Sequence, residues 1–329
     1  MARTVPKQLI LDRAAIEAVA PPLADIVDLI EDTYRMDAAG EVEAPTKIGV
    51  HPGKPYSFLH AMPAWVAGAG ALGMKWISYY PGNSAEGRPD SSGLIVLNEP
   101  EYGQPVAIME GMWITLVRTA ACAAVAARHC APRAPKRVGL VGCGGLGHWS
   151  VRVLGAVFPG IEEFRVASRT EQSRTRFCDE NSGLGPWSLR PADRVEDAVR
   201  DMDIVVSSVP QGTERPLDGA WWSPGTLAIP LDVVSAWDDA AFARIDRLVT
   251  DNIDGLEVAA RQRRPDLTLP GDLVSLADVV SGRAPGRIDA EERIMAIPTG
   301  VASVDMTLAW EIYRRARDAG VGSEIALLS

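Results

Sequence analysis

Short apolar runs alternate with segments of helical periodicity throughout the second half of the chain. Residues 138–141 have the length and composition of a buried strand, and apolar residues then recur at helical spacing as far as Val157. Further strands are predicted at 163–167, 204–209, 226–231, 247–250 and 293–297, and helices near 192–200, from Trp237 and over 303–318. This alternation, with short links, predicts a mostly parallel sheet that helices cover on both faces.

The first half of the chain has another pattern, in which strands follow one another. Residues 22–39 have the apolar spacing of an amphipathic helix, which Gly40 ends. Residues 44–51 and 56–63 flank a turn rich in Pro and Gly and predict an antiparallel hairpin. Other strands are predicted at 9–11, 71–78 and 94–97, and a helical pattern that begins at Met109 continues as an alanine-rich helix over 113–129. The whole chain is therefore predicted to be α/β, with a doubly wound parallel sheet and a second, α+β domain.

The composition is that of a globular protein of about two domains. Its 329 residues are 47% hydrophobic, which is enough to bury a large core. A formal net charge of −10 without a basic cluster argues against nucleic acid as a partner. Because the chain has neither a bilayer-spanning apolar run nor the apolar core of a signal peptide, we expect no membrane association and a cytoplasmic location. The spacing of the cysteines and histidines predicts neither disulfides nor a metal site.

A glycine motif stands between the first strand and the first helix of the second half. Gly142, Gly144 and Gly147 follow the strand directly in the spacing G-x-G-x-x-G. In this context the first glycine allows a tight turn, the second lets backbone approach a pyrophosphate, and the third lets the helix pack closely on the strand. The helix begins around Gly145 and Leu146, where free N–H groups would face the anion. A glycine-rich turn without a ligand is the plainer alternative, but the strand-to-helix context favours dinucleotide binding.

The end of the second strand of this half bears on which dinucleotide binds. An NAD site places an acidic residue there to hold the ribose hydroxyls, whereas this chain has Ser168, Arg169 and Thr170. These side chains suit a 2′-phosphate, so we expect NADP in preference to NAD, although Arg169 also fits an ordinary surface position at a helix start. The residues expected at further strand ends, where ligands bind in such sheets, are Ser208, Val209, Pro210 and Asp232.

The first half carries isolated cations in apolar settings. Lys75 lies in the predicted strand 71–78, where a lysine on a solvated face is an equally good interpretation of the spacing. Arg118 lies on the predicted helix beside Thr119 and alanines, which allow close packing, so its charge needs a partner. The loop over 80–93 is long enough to suggest a functional role.

Together these features resemble the ornithine cyclodeaminase/mu-crystallin family. The resemblance is carried by Lys75, the segments 81–83 and 93–100, Arg118–Ala121 and the turn at Gly142 to Gly144, and it extends to 277–287. It runs nearly end to end and implies a homodimer. Residues 1–120 and 303–329 would form a substrate-binding and dimerisation domain, and residues 121–302 a Rossmann dinucleotide-binding domain.

The resemblance also implies roles for individual residues. Lys47, Lys75 and Arg118 match positions that bind the substrate carboxylate, and Asp232 matches a catalytic aspartate that handles water or a proton. His60 stands at a substrate-binding position where ornithine cyclodeaminases have a glutamate for a distal ammonium, and Asp90 stands where the cofactor loop usually has a threonine. Both departures count against ornithine as the substrate. The other expected contacts are Thr299 and Gly300 for the substrate, and Asp90, Arg118 and Thr119 for the cofactor.

Three functions are compatible with this family resemblance. The first is an NAD(P)-dependent imine reductase or amino acid dehydrogenase that transfers a hydride at Cα, with Lys75 or Asp232 moving the proton. The second is a cyclodeaminase, which uses NAD catalytically and releases ammonia. The third is a nucleotide-dependent binding protein of the mu-crystallin type. Because the cationic positions are filled, we favour the first.

Overall fold

The computed structural model describes residues 7–212 and 215–327. The chain divides into two compact units, of which unit 1 comprises Met1–Arg118 and Val301–Ser329 and unit 2 comprises Thr119–Gly300. The sequence places these boundaries at 120/121 and 302/303. Within the described residues, no helix combines the length and the apolarity needed to cross a bilayer.

The regular elements of the described chain are numbered in chain order. The strands are β1 (Gln8–Leu11), β2 (Val42–Glu43), β3 (Ile48–Val50), β4 (Phe58–Val66), β5 (Ala71–Tyr79), β6 (Ser91–Asn98), β7 (Pro105–Glu110), β8 (Arg137–Val141), β9 (Glu163–Ala167), β10 (Ser188–Pro191), β11 (Ile204–Ser207), β12 (Leu227–Pro230), β13 (Arg247–Thr250), β14 (Leu273–Ser275), β15 (Ile294–Ile297) and β16 (Ser323–Ile325). The helices are α1 (Arg13–Val19), α2 (Leu23–Ala38), α3 (Gly111–Cys130), α4 (Gly145–Val157), α5 (Glu171–Glu180), α6 (Asp239–Phe242), α7 (Ile253–Arg263), α8 (Leu276–Val280) and α9 (Ala302–Ala319).

Unit 1 is an eight-stranded sheet with helices packed on one face. The strand order is β16-β1-β7-β6-β5-β4-β2, with β3 also paired to β4, and all pairs except β1 with β7 are antiparallel. Helix α9 packs across β4 and β5 and against α1 and α2. Side chains of one parity, such as Met62, Ala64 and Ile95, are buried on the face toward this helix. The long central strands therefore present a single inner face to α9.

Unit 2 is the predicted doubly wound parallel sheet. Its strand order is β10-β9-β8-β11-β12-β15-β13-β14, and every pair is parallel. The chain runs outward from β8 to β10 and then returns to β11, so the order reverses between β8 and β11. At the carboxyl edge Ala167, Val141, Ser207 and Pro230 lie side by side in register. This switch point is where ligands bind in sheets of this class.

Several elements differ from the sequence prediction. The helix expected near 192–200 is wrong, because only a 3₁₀ turn forms at Val195–Ala198, between strands that end at Pro191 and begin at Ile204. This turn lies so close to β8 that a Cβ on Gly139 would approach the Ala198 oxygen. Helix α6 begins at Asp239, because Asp238 caps it through the Ala241 N–H. The pattern also missed β7, because the predicted helical pattern begins at Met109, inside that strand. Other elements that the pattern missed are α1, β2, α5, β10, α7, β14, α8 and β16.

Candidate active site

The turn between β8 and α4 has the geometry that its glycines predict. Gly142 has φ +121°, and a Cβ there would lie 2.6 Å from the Ser208 oxygen. A Cβ on Gly147 would lie 2.4 Å from the Gly142 oxygen, so any side chain would separate helix from strand. Gly144 is the N-cap of α4 and supplies no side-chain cap, which leaves the first N–H groups of the helix to bind an anion.

A cavity of about 670 Å³ opens at this turn, within unit 2. Many of the residues that the sequence assigns to the cofactor line it, namely Gly142, Gly144, Ser168, Arg169, Thr170, Ser208, Val209 and Pro210. Thr170 also caps α5, because its hydroxyl accepts from the Ser173 N–H at 3.2 Å. Arg169 is exposed at the rim of β9. The groups present fit a dinucleotide: a helix N-terminus for the pyrophosphate, and hydroxyl and guanidinium groups at the next strand end.

Asp232 holds the loop that forms one wall of this cavity. Its two carboxylate oxygens accept hydrogen bonds from the Val209 N–H at 3.1 Å and the Ala236 N–H at 3.2 Å. Burial raises the pKa of Asp232 to about 6, although these backbone donors act in the opposite direction. The carboxylate therefore joins the loops that follow β11 and β12, an arrangement that suits a positioning role.

Thr299 and Gly300 are held by a carboxylate that sequence reasoning missed. Asp251 follows β13 and is buried, and its Oδ1 accepts from both the N–H and the hydroxyl of Thr299, at 2.7 and 2.8 Å. Its Oδ2 accepts from the Gly300 N–H at 3.1 Å. The signal in the sequence that could have identified Asp251 is the position of an acidic residue directly after an apolar strand. The Asp251 carboxylate orders the segment that leaves β15.

In unit 1, Lys75 and Arg118 share one buried carboxylate. The Nζ atom of Lys75 donates to Oδ2 of Asp305 at 2.7 Å, and Nε of Arg118 donates to Oδ1 at 2.8 Å. The exposed fractions are 1% for Lys75, 6% for Arg118 and 0% for Asp305. The strand lysine is thus buried, which corrects the alternative of a solvated face. Since one anion faces two cations, the cluster keeps a positive charge when Lys75 is protonated.

The ionisation of Lys75 is poised near neutrality. Its pKa is lowered from the usual 10.5 to about 7, chiefly by burial and also by the charges of Arg118 and Lys47, while Asp305 acts to raise it. Lys47 comes directly before β3, in which Gly49 pairs with His60. Lys47 thus contributes to the lowered pKa of Lys75, and its assignment to the substrate carboxylate stays a prediction.

The remaining predicted residues of unit 1 have local partners. The ring of His60 stacks on Phe58 with centroids 4.0 Å apart and planes inclined by 13°. The carboxylate of Asp90 accepts from the N–H and the hydroxyl of Ser84, at 2.8 and 3.2 Å, and so closes the turn that precedes β6. Thr119, the first residue of unit 2, lies half-buried on α3. The assignments of Asp90 and Thr119 to the cofactor stay predictions.

Asp305 is the functional candidate that sequence reasoning missed. It lies in the first turn of α9, where an acidic residue is usually explained by the helix dipole. The available signal was its setting, because Ala302, Val304, Met306 and Leu308 around it are apolar or small and buried. A charge in such a setting requires a buried partner.

The chain is similar to a described protein family, to proteins of known sequence and to a solved structure. A family model described as the ornithine cyclodeaminase/mu-crystallin family matches residues 7–320. A nodulation efficiency protein of Rhizobium meliloti is 29% identical over 325 residues, which cover 96% of this chain and 98% of that protein. Alanine dehydrogenase of Archaeoglobus fulgidus is 28% identical over 327 residues, with the same coverage. A solved archaeal alanine dehydrogenase dimer with bound NAD is 26% identical, with a TM-score of 0.88 over 98% of this chain and 100% of that one.

Proposed function

The chain belongs to the ornithine cyclodeaminase/mu-crystallin family, and on that premise we propose that it is an NAD(P)-dependent oxidoreductase acting on amino or imino acids. The reaction transfers a hydride between the nicotinamide and the Cα of a substrate that is held by its carboxylate. The observation that carries the proposal is the buried cluster of Lys75, Arg118 and Asp305, with the pKa of Lys75 lowered to about 7. A group that is half protonated near neutral pH is suited to general acid–base work.

The substrate carboxylate is bound by unit 1. Arg118 has a guanidinium suited to paired hydrogen bonds with a carboxylate, and Lys47 and Lys75 add positive charge. Asp305 fixes Lys75 and Arg118 in place, because each of its oxygens accepts from one of them. Orientation of the substrate by these groups reduces the entropy cost of reaching the transition state.

Lys75 supplies the proton in the reductive direction. When bound, the nicotinamide supplies the hydride that adds to Cα of the imine. The π electrons of the C=N bond move to nitrogen, which takes a proton from the Lys75 ammonium and leaves Lys75 neutral. In the oxidative direction neutral Lys75 takes the proton from the amine nitrogen as the hydride leaves Cα. Burial of Lys75 lowers its pKa enough for both protonation states to be available.

The dinucleotide is bound by unit 2, and we assign NADP as the preferred form. The support is the turn of Gly142, Gly144 and Gly147 for the pyrophosphate, and the hydroxyl and guanidinium groups at the end of β9 for the phosphate on the ribose. Thr170 and Ser168 each contribute a hydroxyl, and Arg169 contributes a guanidinium suited to a phosphate.

The enzyme is a homodimer in this proposal, and the outer face of the unit 1 sheet is the contact. One row of paired apolar positions crosses that face, formed by Ile48, Ala61, Trp76 and Leu94, and the row ends at Glu110. Ile48 is 70% exposed, Leu94 50% and Trp76 44%. A contiguous apolar patch of this kind is typical of protein interfaces, and a dimer is the state named for the archaeal alanine dehydrogenase. We place this dimer in the cytoplasm, in keeping with the NAD(P)H pool on which the reaction draws.

One experiment separates this function from its rivals. NADPH and NADH absorbance would be followed with cyclic ketimines and with 2-oxo acids plus amines, and ammonia release would be followed with ornithine and lysine. Net oxidation of the reduced cofactor supports the oxidoreductase. Ammonia release without net change in the cofactor would overturn it in favour of a cyclodeaminase. Cofactor binding without either change would favour the binding protein.

A further inference from the structure

Aromatic rings form a contiguous cluster on the inner face of the unit 1 sheet. Phe58 and His60 stack with centroids 4.0 Å apart, and the Phe58 ring lies 5.6 Å from Tyr79. The His51 ring meets His60 edge-on at 6.3 Å. Phe58, His60 and Tyr79 are all half-buried, which leaves part of each ring accessible. We call Phe58, His60 and Tyr79 the ring cluster.

The ring cluster lies along the same face as Lys75, on neighbouring positions. Lys75 pairs with Met62, His60 pairs with Ile77, and Phe58 pairs with Tyr79. Paired residues and residues two apart on a strand have side chains on the same face of a sheet. His60 is therefore one row beyond Lys75, at a spacing of about 6.7 Å, and Phe58 and Tyr79 are one row beyond His60.

Two glycines on the neighbouring strands flank the middle row of this face, which His60 and Ile77 form. Gly49 pairs with His60 on one side, and Gly93 pairs with Ile77 on the other. A Cβ at Gly49 would lie 2.3 Å from Cδ2 of His60, so the imidazole lies over that glycine. The surface of this row is therefore formed by the side chains of His60 and Ile77, and neither flanking strand adds a side chain to it.

The charges around this row disfavour a substrate with a positively charged side chain. Strands β4, β5 and β6 contain no Asp or Glu. Asp305 is a carboxylate of unit 1 that is buried beside Lys75, and both its oxygens already accept from Lys75 and Arg118. An ammonium placed against the ring cluster would meet the imidazoles of His60 and His51, and these strands offer it no carboxylate.

From these observations we propose that the ring cluster is the subsite for the substrate side chain, and that the preferred substrates are 2-imino acids with an aromatic ring one methylene away from Cα. With the carboxylate at Lys75 and Arg118, a benzyl-type group extends about one strand row and so reaches His60, on which the Phe58 ring stacks. Flat rings gain from offset or edge-to-face contacts with such a cluster. This inference rests on the proposed oxidoreductase function and adds the side chain that the enzyme selects.

The test compares two imines that differ only in the side chain. The full-length enzyme is assayed for NADPH and NADH oxidation with phenylpyruvate plus ammonia and with pyruvate plus ammonia. We expect kcat/KM to be at least about tenfold higher for phenylpyruvate. Turnover that favours pyruvate would overturn the subsite and leave the oxidoreductase standing. The function itself would be overturned by a different result. In that result neither the 2-oxo acids nor the cyclic ketimines cause oxidation of the reduced cofactor, and amino acids do not cause reduction of the oxidised cofactor.

Single substitutions test whether the ring cluster causes the preference for phenylpyruvate over pyruvate. Phe58→Ala and His60→Ala are each expected to lower the ratio of kcat/KM for phenylpyruvate to that for pyruvate by about fivefold or more. The matched control is Tyr102→Ala, which removes an exposed ring from a turn elsewhere in unit 1. A ratio unchanged in both variants, or changed equally in the control, would overturn the assignment. Because the ratio is internal to each variant, partial loss of folded protein does not affect it.

Discussion

The Nζ atom of Lys75 lies 2.7 Å from Oδ2 of Asp305, a residue 230 positions later in the chain, and both side chains are buried. The helix α9 brings Asp305 to the inner face of the sheet, where Arg118 contacts its other oxygen. The pair thereby keeps a lysine with a pKa near 7 inside the protein, ready to give or take a proton.

Replacement of Lys75 by methionine tests its role as the proton donor. We expect kcat for imine reduction to fall by about 100-fold or more, because general acid catalysis contributes factors of about 10² to 10⁴. The dissociation constant of NADPH should change little, since the glycine turn is in unit 2. Lys136→Met, at an exposed lysine, is the control. Retention of more than a third of the rate by Lys75→Met would remove Lys75 from the mechanism.

The pH dependence should follow Lys75 in the free enzyme. For reduction, kcat/KM is expected to be constant at low pH and to fall above about pH 7, because the ammonium is the donor. For oxidation it should rise through the same pH, because neutral lysine is the base. Asp305→Asn removes a charge that raises the pKa of Lys75. In this variant the limb of the pH profile on which kcat/KM for reduction falls should therefore move to lower pH. A limb that stays in place, or moves to higher pH, would contradict this assignment.

Asp232→Asn distinguishes positioning from catalysis. An asparagine has one acceptor oxygen, so it cannot accept from both the Val209 and the Ala236 N–H groups. We expect KM for the dinucleotide to rise by about tenfold, because Val209 lines its cavity, while kcat at saturating cofactor stays within about threefold of wild type. The opposite result, a large loss of kcat with unchanged KM for the cofactor, would instead support the catalytic role that the sequence suggests.

Arg169→Ala tests the choice of cofactor. If Arg169 binds the 2′-phosphate, its loss should raise the dissociation constant of NADPH by about tenfold or more and leave that of NADH nearly unchanged. Binding is measured by nucleotide fluorescence. Arg176→Ala, at an exposed arginine on α5, controls for a general loss of positive charge. Equal weakening of both dinucleotides would reject the NADP assignment.

Leu94→Arg tests the dimer contact. A charge at this half-exposed position of the outer sheet face would be desolvated by a second copy, so we expect a shift from dimer to monomer in light scattering coupled to size-exclusion chromatography. Ile288→Arg, at an exposed apolar residue of unit 2, should leave the mass unchanged. A dimer that persists in Leu94→Arg would place the contact elsewhere.

Local features were readable from the chain, because they depend on neighbouring residues. Strand β9 and strand β13 have the predicted bounds, and α9 differs from its prediction by one residue at each end. The roles of Gly142 and Gly147 followed from the turn alone, since contacts within a strand-turn-helix unit decide them. A segment without strong periodicity, such as α5, was missed because its apolar residues are few.

The sequence by itself determined the parallel sheet with its glycine turn. It also determined that isolated cations stand in apolar settings in the first half of the chain. Only the tertiary structure decided what those cations contact. Asp305 and Arg118 are 187 positions apart, and no pattern over a short window registers such a pair. The chemistry of Lys75 depends on burial by α9 and on the charges of Arg118, Asp305 and Lys47, because a pKa is set by everything around the group and not by its neighbours in sequence.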